Sequence, residues 1–463
     1  MNILRWAGGL LALVIIVAVI WLNTSAIGRI FIPTATGITA KQVCSLTFVS
    51  DMEPGLAREL YIDPLLGDAA GVISADVDRD DMSVHSRLLG LWHREAVYRE
   101  GLGCTLVHDG RNFDRDLTVE WEQAPVFYEL DTTHRDNAFD TEALTAAIEG
   151  GFDADFGARN TLAVVVLHDG RLVAEQYAPG FSRENRLHSW SMAKSVVATL
   201  AGAMTLRGEL DVYAEGEIDL LDGLGADSEA TTIDDLLRMT GGRAAHELQN
   251  GTDPTSDMLF SQADMATFTA TRDRLHPPGV HWEYMSGDTV LASRELQSRL
   301  GDTLEEQVRA VRELIFEPAG IYSPIFEVDE AGTLQGSSYV YATPHDWARM
   351  MQVYLDDGVT NGQRIFPASW RSYVTEFTPG SQDPYGSGFW LLDNLSPGAF
   401  AMNGFQGQQT IGIPEHDLVI VRMGATNNTG TGTWDMARAI MAAIREETAA
   451  EPQSETEAEP GIE

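Results

Sequence analysis

Ser191 and Lys194 stand three residues apart in Trp190-Ser191-Met192-Ala193-Lys194-Ser195, and Lys194 is one of only two lysines among 31 basic residues. The other is Lys41. A neutral lysine amine can take the proton of a serine hydroxyl, whereas arginine stays protonated and cannot. Positions three apart share a helix face, so Ser191 Oγ and Lys194 Nζ can meet. A serine in a first helical turn also lies beside unsatisfied backbone N–H groups that can hold an oxyanion. Burial and the helix dipole both favour the neutral amine that a base requires. The pairing alone is weak, because a Ser three before a Lys arises by chance in roughly one such chain in ten. The neighbours add to it. A structural lysine belongs on an exposed face, but Met192, Val196, Val197 and Leu200 around Lys194 read as core.

A serine activated in this way needs a second acid/base for the leaving group. Tyr284 is the candidate, provided that Lys194 lowers its phenol pKa; Ser286, two residues on, could face the same cleft. A single tyrosine is otherwise a packed core aromatic. Trp190 and Trp390 read as core or as pocket wall. The eleven histidines show no His-Glu-x-x-His or His-x-His spacing, so neither a metal nor a cofactor is expected. No Gly-x-Ser-x-Gly elbow occurs.

Ser191-Met192-Ala193-Lys194, Tyr284-Met285-Ser286 and Gly404-Phe405-Gln406-Gly407-Gln408, in this order, resemble the three signatures of the class C β-lactamase-related serine hydrolases. Family VIII esterases, D-amino-acid peptidases and 6-aminohexanoate-dimer hydrolase belong to that group, and the wording here is most similar to the last. Ile233–Gly242, Ala342–Arg349 and Tyr385–Trp390 extend the resemblance over about 140–447. It implies Ser191 as acylated nucleophile, Lys194 as its base and Tyr284 as proton donor to the leaving group. The backbone N–H groups of Ser191 and Gln408 would form the oxyanion hole, and Ser286, Phe405, Gln406 and Gly407 would contact substrate. The implied fold is α+β, β-lactamase/transpeptidase-like: an antiparallel sheet flanked by helices, with a mostly helical subdomain. The third motif departs from the family. Phe405 stands where β-lactamases place a cation for the substrate carboxylate, and Ser286 replaces the commoner Asn. Small apolar or weakly charged esters or amides are therefore expected rather than β-lactams. The alternatives are a cell-wall D-Ala peptidase and a non-catalytic envelope peptide-binding protein.

The elements that must position these residues follow from pattern. Thr161–His168 reads as a buried strand, Asp169-Gly170 as a hairpin turn and Arg171–Tyr177 as its partner. An apolar helix runs from Ser191 to Leu206, with Gly208 as its stop. Helices are predicted at Thr141–Glu149, from Thr231, at Leu304–Ile315, Pro344–Leu355, Pro367–Phe377 and Thr433–Glu447. Strands are predicted at Gln408–Ile413 and Leu418–Met423. Upstream, Ile27 to Gly37 reads as linker, and 38–139 as an accessory region with a helix at Val84–Arg99 and no catalytic pattern.

Trp6–Leu22 is an uncharged, mostly apolar run at the short end of a membrane span, led by Arg5. Residues 1–26 are thus expected to be an N-terminal membrane helix, holding the protein on the inner membrane facing the periplasm or exterior. A signal peptide cleaved near Asn23–Ala26 and a buried soluble helix are the other readings. Cys44 and Cys104 then suggest one disulfide in an oxidising compartment, against two separate buried thiols. The net charge of −38 and the lack of Lys/Arg clusters exclude nucleic acid as partner. Glu-, Pro- and Ala-rich 448–463 reads as a disordered tail.

Overall fold

A computed structural model of the protein describes residues 24–110, 113–152, 159–215, 218–223, 231–248, 250–427 and 430–445. The Trp6–Leu22 run and the 448–463 tail lie outside these residues. Among the described residues no helix is long and apolar enough to cross a membrane.

The expected linker is helical. Ile27–Phe31 leads without a break into α1 (Ile32–Phe48), which is buried along nearly its whole length. Its threonines, alanines and glycine suggest a linker in sequence, but small residues also permit close helix packing. At Gly37 a Cβ would stand 1.9 Å from the carbonyl oxygen of Phe260, so only glycine lets α1 cross helix Pro254–Ser261 this closely. α1 also packs on a four-stranded antiparallel meander, β1 (Ile73–Asp78), β2 (Ser83–Leu88), β3 (Trp92–Arg99) and β4 (Gly103–Val107). The helix expected over Val84–Arg99 is therefore a hairpin. Leu89 and Gly90 both take positive φ, 50° and 72°, and turn β2 back on β3 in the register Leu88↔Trp92. A disulfide joins Cys44 on α1 to Cys104 on β4.

Beyond this region, α2 (Thr132–Ala138) and α3 (Thr141–Phe152) precede β5 (Thr161–His168) and β6 (Arg171–Tyr177). A short β7 (Leu187–His188) leads into α4 (Ala193–Leu206), and α5 (Ser286–Ser298) follows the mostly helical middle of the chain. β8 (Ile325–Phe326) and β9 (Val340–Ala342) build a small sheet with β7 in the order β7-β9-β8. Then come α6 (Pro344–Leu355), a ribbon of β10 (Val359–Thr360) and β11 (Gln363–Arg364), and the last strands: β12 (Trp390–Leu391), β13 (Phe400–Gly404), β14 (Gln408–Ile413) and β15 (Leu418–Gly424). The chain closes on α7 (Thr433–Ala442).

The central sheet is antiparallel with strand order β12-β13-β14-β15-β5-β6. Its two faces explain why β5 and β15 read as unbroken apolar runs. Val165 and Leu167 face the main core, whereas Val164 and Val166 face a second core capped by α3 and α7. Both faces are covered, so no alternation survives. The helix expected at Pro367–Phe377 is only Trp370–Val374, whereas Pro344–Leu355 matches its expected range.

Candidate active site

Ser191 lies on a single 3-10 turn, Trp190–Met192, between β7 and α4. Trp190 takes φ +45°, a left-handed backbone that costs a bulky residue about 1–3 kcal/mol. Its surroundings hold it there. Trp190 Nε1 donates to Gln406 Oε1 at 2.9 Å, and its ring lies 4.3 Å from His188 and 5.4 Å from Phe405. Gln406 is itself left-handed, at φ 57°. The Gly404–Gln408 segment is thus clamped to the residue before Ser191. Gly404 permits this contact, since a Cβ there would meet the Ser189 carbonyl oxygen at 2.1 Å.

Lys194 is 2% exposed, and three oxygens surround its Nζ: Ser191 Oγ at 3.1 Å, Ser286 Oγ at 3.1 Å and the Ser337 carbonyl at 3.0 Å. Ser286 Oγ in turn donates to Glu247 Oε2 at 2.9 Å. The direction of each bond matters. Ser337 O can only accept. The single Ser286 proton is committed to Glu247, so Ser286 Oγ also accepts from Lys194. The ammonium form donates one N–H to each of the three oxygens; once deprotonated, the amine keeps two N–H groups for Ser286 Oγ and Ser337 O, which leaves its lone pair for the Ser191 hydroxyl. Burial pushes the Lys194 pKa down to about 8, with the Glu247 carboxylate opposing.

Tyr284 is half-buried beside this group, with its ring centroid 5.0 Å from Lys194 Nζ and 5.4 Å from the Trp390 ring. The expectation that Lys194 lowers its phenol does not hold. Burial, followed by the Glu247 carboxylate, pushes the Tyr284 pKa well above its ordinary value, and the Ser191 hydroxyl opposes this only in part. Tyr284 is therefore held as a neutral phenol that can donate a proton.

Two cavities meet at Ser191, and Glu247 and Phe405 line both. The smaller, about 280 Å³, is walled by Trp190 and by Phe31, Ala35, Ile38, Leu66, Leu259 and Phe260. The N-terminal region, read from sequence as a linker and an accessory region without a catalytic pattern, thus supplies much of one pocket. The larger, about 1070 Å³, is lined by Tyr284, Trp390 and the acids Glu283, Asp383 and Asp393. No lysine or arginine lines either cavity among the described residues.

Of the four positions expected to contact substrate, Phe405 alone lines these two cavities among the described residues. Ser286 is buried behind Lys194, and Gln406 is held by Trp190. At Gly407, which has φ +84°, an added Cβ would meet Arg422 Nη1 at 2.4 Å. The Gln408 side chain is buried in backbone, where its Oε1 accepts from Gly424 N at 3.0 Å and its Nε2 donates to Phe405 O at 3.2 Å. Sequence reasoning missed Glu247 and Ser337. Both lie in segments without a motif, and only the fold brings them to Lys194.

Known proteins share the family and the fold. The β-lactamase family profile matches residues 151–444. The 6-aminohexanoate-dimer hydrolase of Paenarthrobacter ureafaciens is 25% identical over 299 residues, which is 59% of this chain and 75% of that protein. A penicillin-binding protein homologue from Caulobacter crescentus superposes with TM-score 0.51 at 17% identity, covering 65% of this chain and 96% of that one. A family VIII carboxylesterase superposes with TM-score 0.50 at 16% identity, covering 69% and 98%. At these identities the solved structures show a shared fold.

Proposed function

Because the chain belongs to the β-lactamase family and is a serine hydrolase related to it, we propose that it cleaves small uncharged esters or amides bearing an apolar group, through an acyl-enzyme on Ser191. One observation carries the assignment: Nζ of a buried Lys194, whose pKa burial lowers to about 8, stands 3.1 Å from Ser191 Oγ. Lys194 takes the Ser191 proton as Oγ attacks the carbonyl carbon. The backbone N–H groups of Ser191 and Gln408 receive the oxyanion. Tyr284 protonates the leaving alcohol or amine as its bond to the carbonyl carbon breaks. Water, deprotonated by the same groups, then releases the acid and restores Ser191.

The cavity walls support the substrate class. An apolar pocket against Ser191 favours an apolar substituent, and acids without a lysine or arginine disfavour a substrate carboxylate. This argues against β-lactams and against peptides ending in D-Ala. The test is fluorophosphonate labelling of wild type and Ser191→Ala, followed by turnover of p-nitrophenyl esters of increasing chain length, D-amino-acid amides, 6-aminohexanoate dimer and nitrocefin. Labelling lost in the variant and rates rising with ester chain length are expected. Ser191-independent labelling, or nitrocefin as the preferred substrate, contradicts the proposal.

We also place the protein outside the cytosol, held by 1–26. The Cys44–Cys104 disulfide supports an oxidising compartment. Thiol alkylation of unreduced, denatured protein from its native host checks this, and two freely alkylated cysteines count against it.

A further inference from the structure

We propose that His134 Nε2, His168 Nδ1 and Asp169 Oδ2 form a binding site for a divalent transition-metal ion of the zinc class. The two imidazole nitrogens are 2.8 Å apart, and the carboxylate oxygen lies 3.5 Å from the first and 3.6 Å from the second. Corners of a triangle with these edges all lie about 2 Å from one common point, the length of a zinc–nitrogen or zinc–oxygen bond. A proton shared between the imidazoles accounts for the short edge. The charge of that proton also draws in the carboxylate, but a shared ion accounts for all three edges together at metal–ligand bond length. Two imidazoles and a carboxylate are a donor set that zinc-class ions prefer, with water completing the coordination.

The fold prepares these donors. Asp131 Oδ1 accepts from the His134 backbone N–H at 2.9 Å, fixing the start of α2. His168 is the last residue of β5 and is 13% exposed, with the Phe139 ring edge-on at 5.1 Å. Asp169 sits in the hairpin turn at φ 49°, and its backbone N–H donates to Asp417 O at 3.0 Å.

Position assigns the role. His168 pairs with Leu418, and Leu418 with Ile413, at the far end of β14 from Gln408. Five residues of strand, roughly 17 Å, separate that end from the Gly404–Gln408 segment. The ion therefore takes no part in hydrolysis. It fastens α2, the segment leading out of the N-terminal region, to the β5–β6 turn of the central sheet.

The test is equilibrium dialysis of untagged, chelator-stripped protein against Co2+ and Zn2+, with Tm measured alongside. The variants are His168→Gln, Asp169→Asn and, as control, His85→Gln. His85 Nδ1 lies 3.1 Å from His93 Nε2, but no third donor joins that pair among the described residues. Wild type should bind one ion per chain and gain Tm as Zn2+ rises. His168→Gln should weaken binding at least ten-fold, Asp169→Asn less, and His85→Gln not at all. Absent or substoichiometric binding, binding undiminished in both site variants, or equal loss in the control overturns the proposal. If the site variants do not fold, the wild type still decides. Zn2+ should shield His134 and His168 from diethyl pyrocarbonate, mapped by mass spectrometry, and unshielded histidines overturn the site.

Discussion

Lys41 and Lys194 are equally buried, each 2% exposed, and each has a serine within one helical turn of sequence. Their surroundings differ in how the nearest carboxylate is held. Lys41 touches its carboxylate directly: Glu327 bonds it, and also accepts from Ser45 Oγ at 2.8 Å and from the Cys104 backbone N–H at 2.6 Å. Lys194 meets its carboxylate only through Ser286. Burial lowers the pKa of both lysines and raises that of Glu327. At Lys41 the direct ion pair opposes burial, and the pair fastens α1 to the residue that follows β8 and to the Cys44–Cys104 bridge. At Lys194 a carboxylate one hydroxyl away opposes burial less, and Ser191 beside it opens to both cavities. A carboxylate in contact makes a buried lysine a fastener, and one held at a distance leaves it able to exchange protons.

Exchanging the charge carrier tests this contrast most severely. Lys194→Arg keeps a cation but removes the base, so turnover should fall about 10³-fold, worth about 4 kcal/mol at the transition state. Stopped-flow or plate kinetics on the best ester measure it, and turnover within ten-fold of wild type refutes the base. Lys41→Arg lies away from the chemistry, and any soluble, folded variant should keep its kcat.

Deleting the amines should then separate the two sites in stability. Lys41→Met leaves Glu327 buried without its partner and should cost about 3–4 kcal/mol by urea or thermal unfolding. Because the folded pKa of Glu327 lies above its unfolded value, the deficit should narrow as pH falls and the carboxyl takes up a proton. Lys194→Met should behave otherwise. A lysine shifted from 10.5 to about 8 destabilises the fold by about 3 kcal/mol below pH 8, a penalty relieved between pH 8 and 10.5. Removing the charge offsets the lost hydrogen bonds, so the stability of Lys194→Met should lie within about 1 kcal/mol of wild type at pH 7. Equal losses in both variants erase the distinction.

The sequence made one lysine legible and not the other. Ser191, Lys194 and Tyr284 sit in short motifs whose spacing a helix or turn converts directly into proximity, and the structure brings them together. Lys41 was readable only as a rarity, because its partner Glu327 lies 286 residues away. Asp169-Gly170 and Pro344 announced their elements through turn and capping chemistry. The Ile27–Gly37 stretch did not, because small residues look alike in a linker and in a tightly crossed helix. Val84–Arg99 misled through its length, and only the positive φ of Leu89 and Gly90 makes it a hairpin. Helix 254–261 and α1 come together only in the folded chain, so the apolar pocket they form had no sequence signature.

Glu247→Gln gives the smallest expected effect and the finest resolution, because it changes the indirect carboxylate alone. Glu247 holds the protonated form of Lys194 up against burial. Removing its charge should therefore lower the Lys194 pKa further, and the acid limb of kcat/KM, expected near pH 8 in wild type, should move down by less than about one unit. At the same time kcat at high pH should fall about ten-fold. A glutamine amide can donate to Ser286, freeing the serine proton to point at Lys194 and compete for the lone pair that serves Ser191. Glu247→Asp, which keeps the charge, should leave the limb close to its wild-type position whatever it does to kcat. A purely structural Glu247 predicts lower kcat with an unmoved limb. A limb that moves upward in Glu247→Gln contradicts the electrostatic reading, and with it the distance argument that separates Lys194 from Lys41.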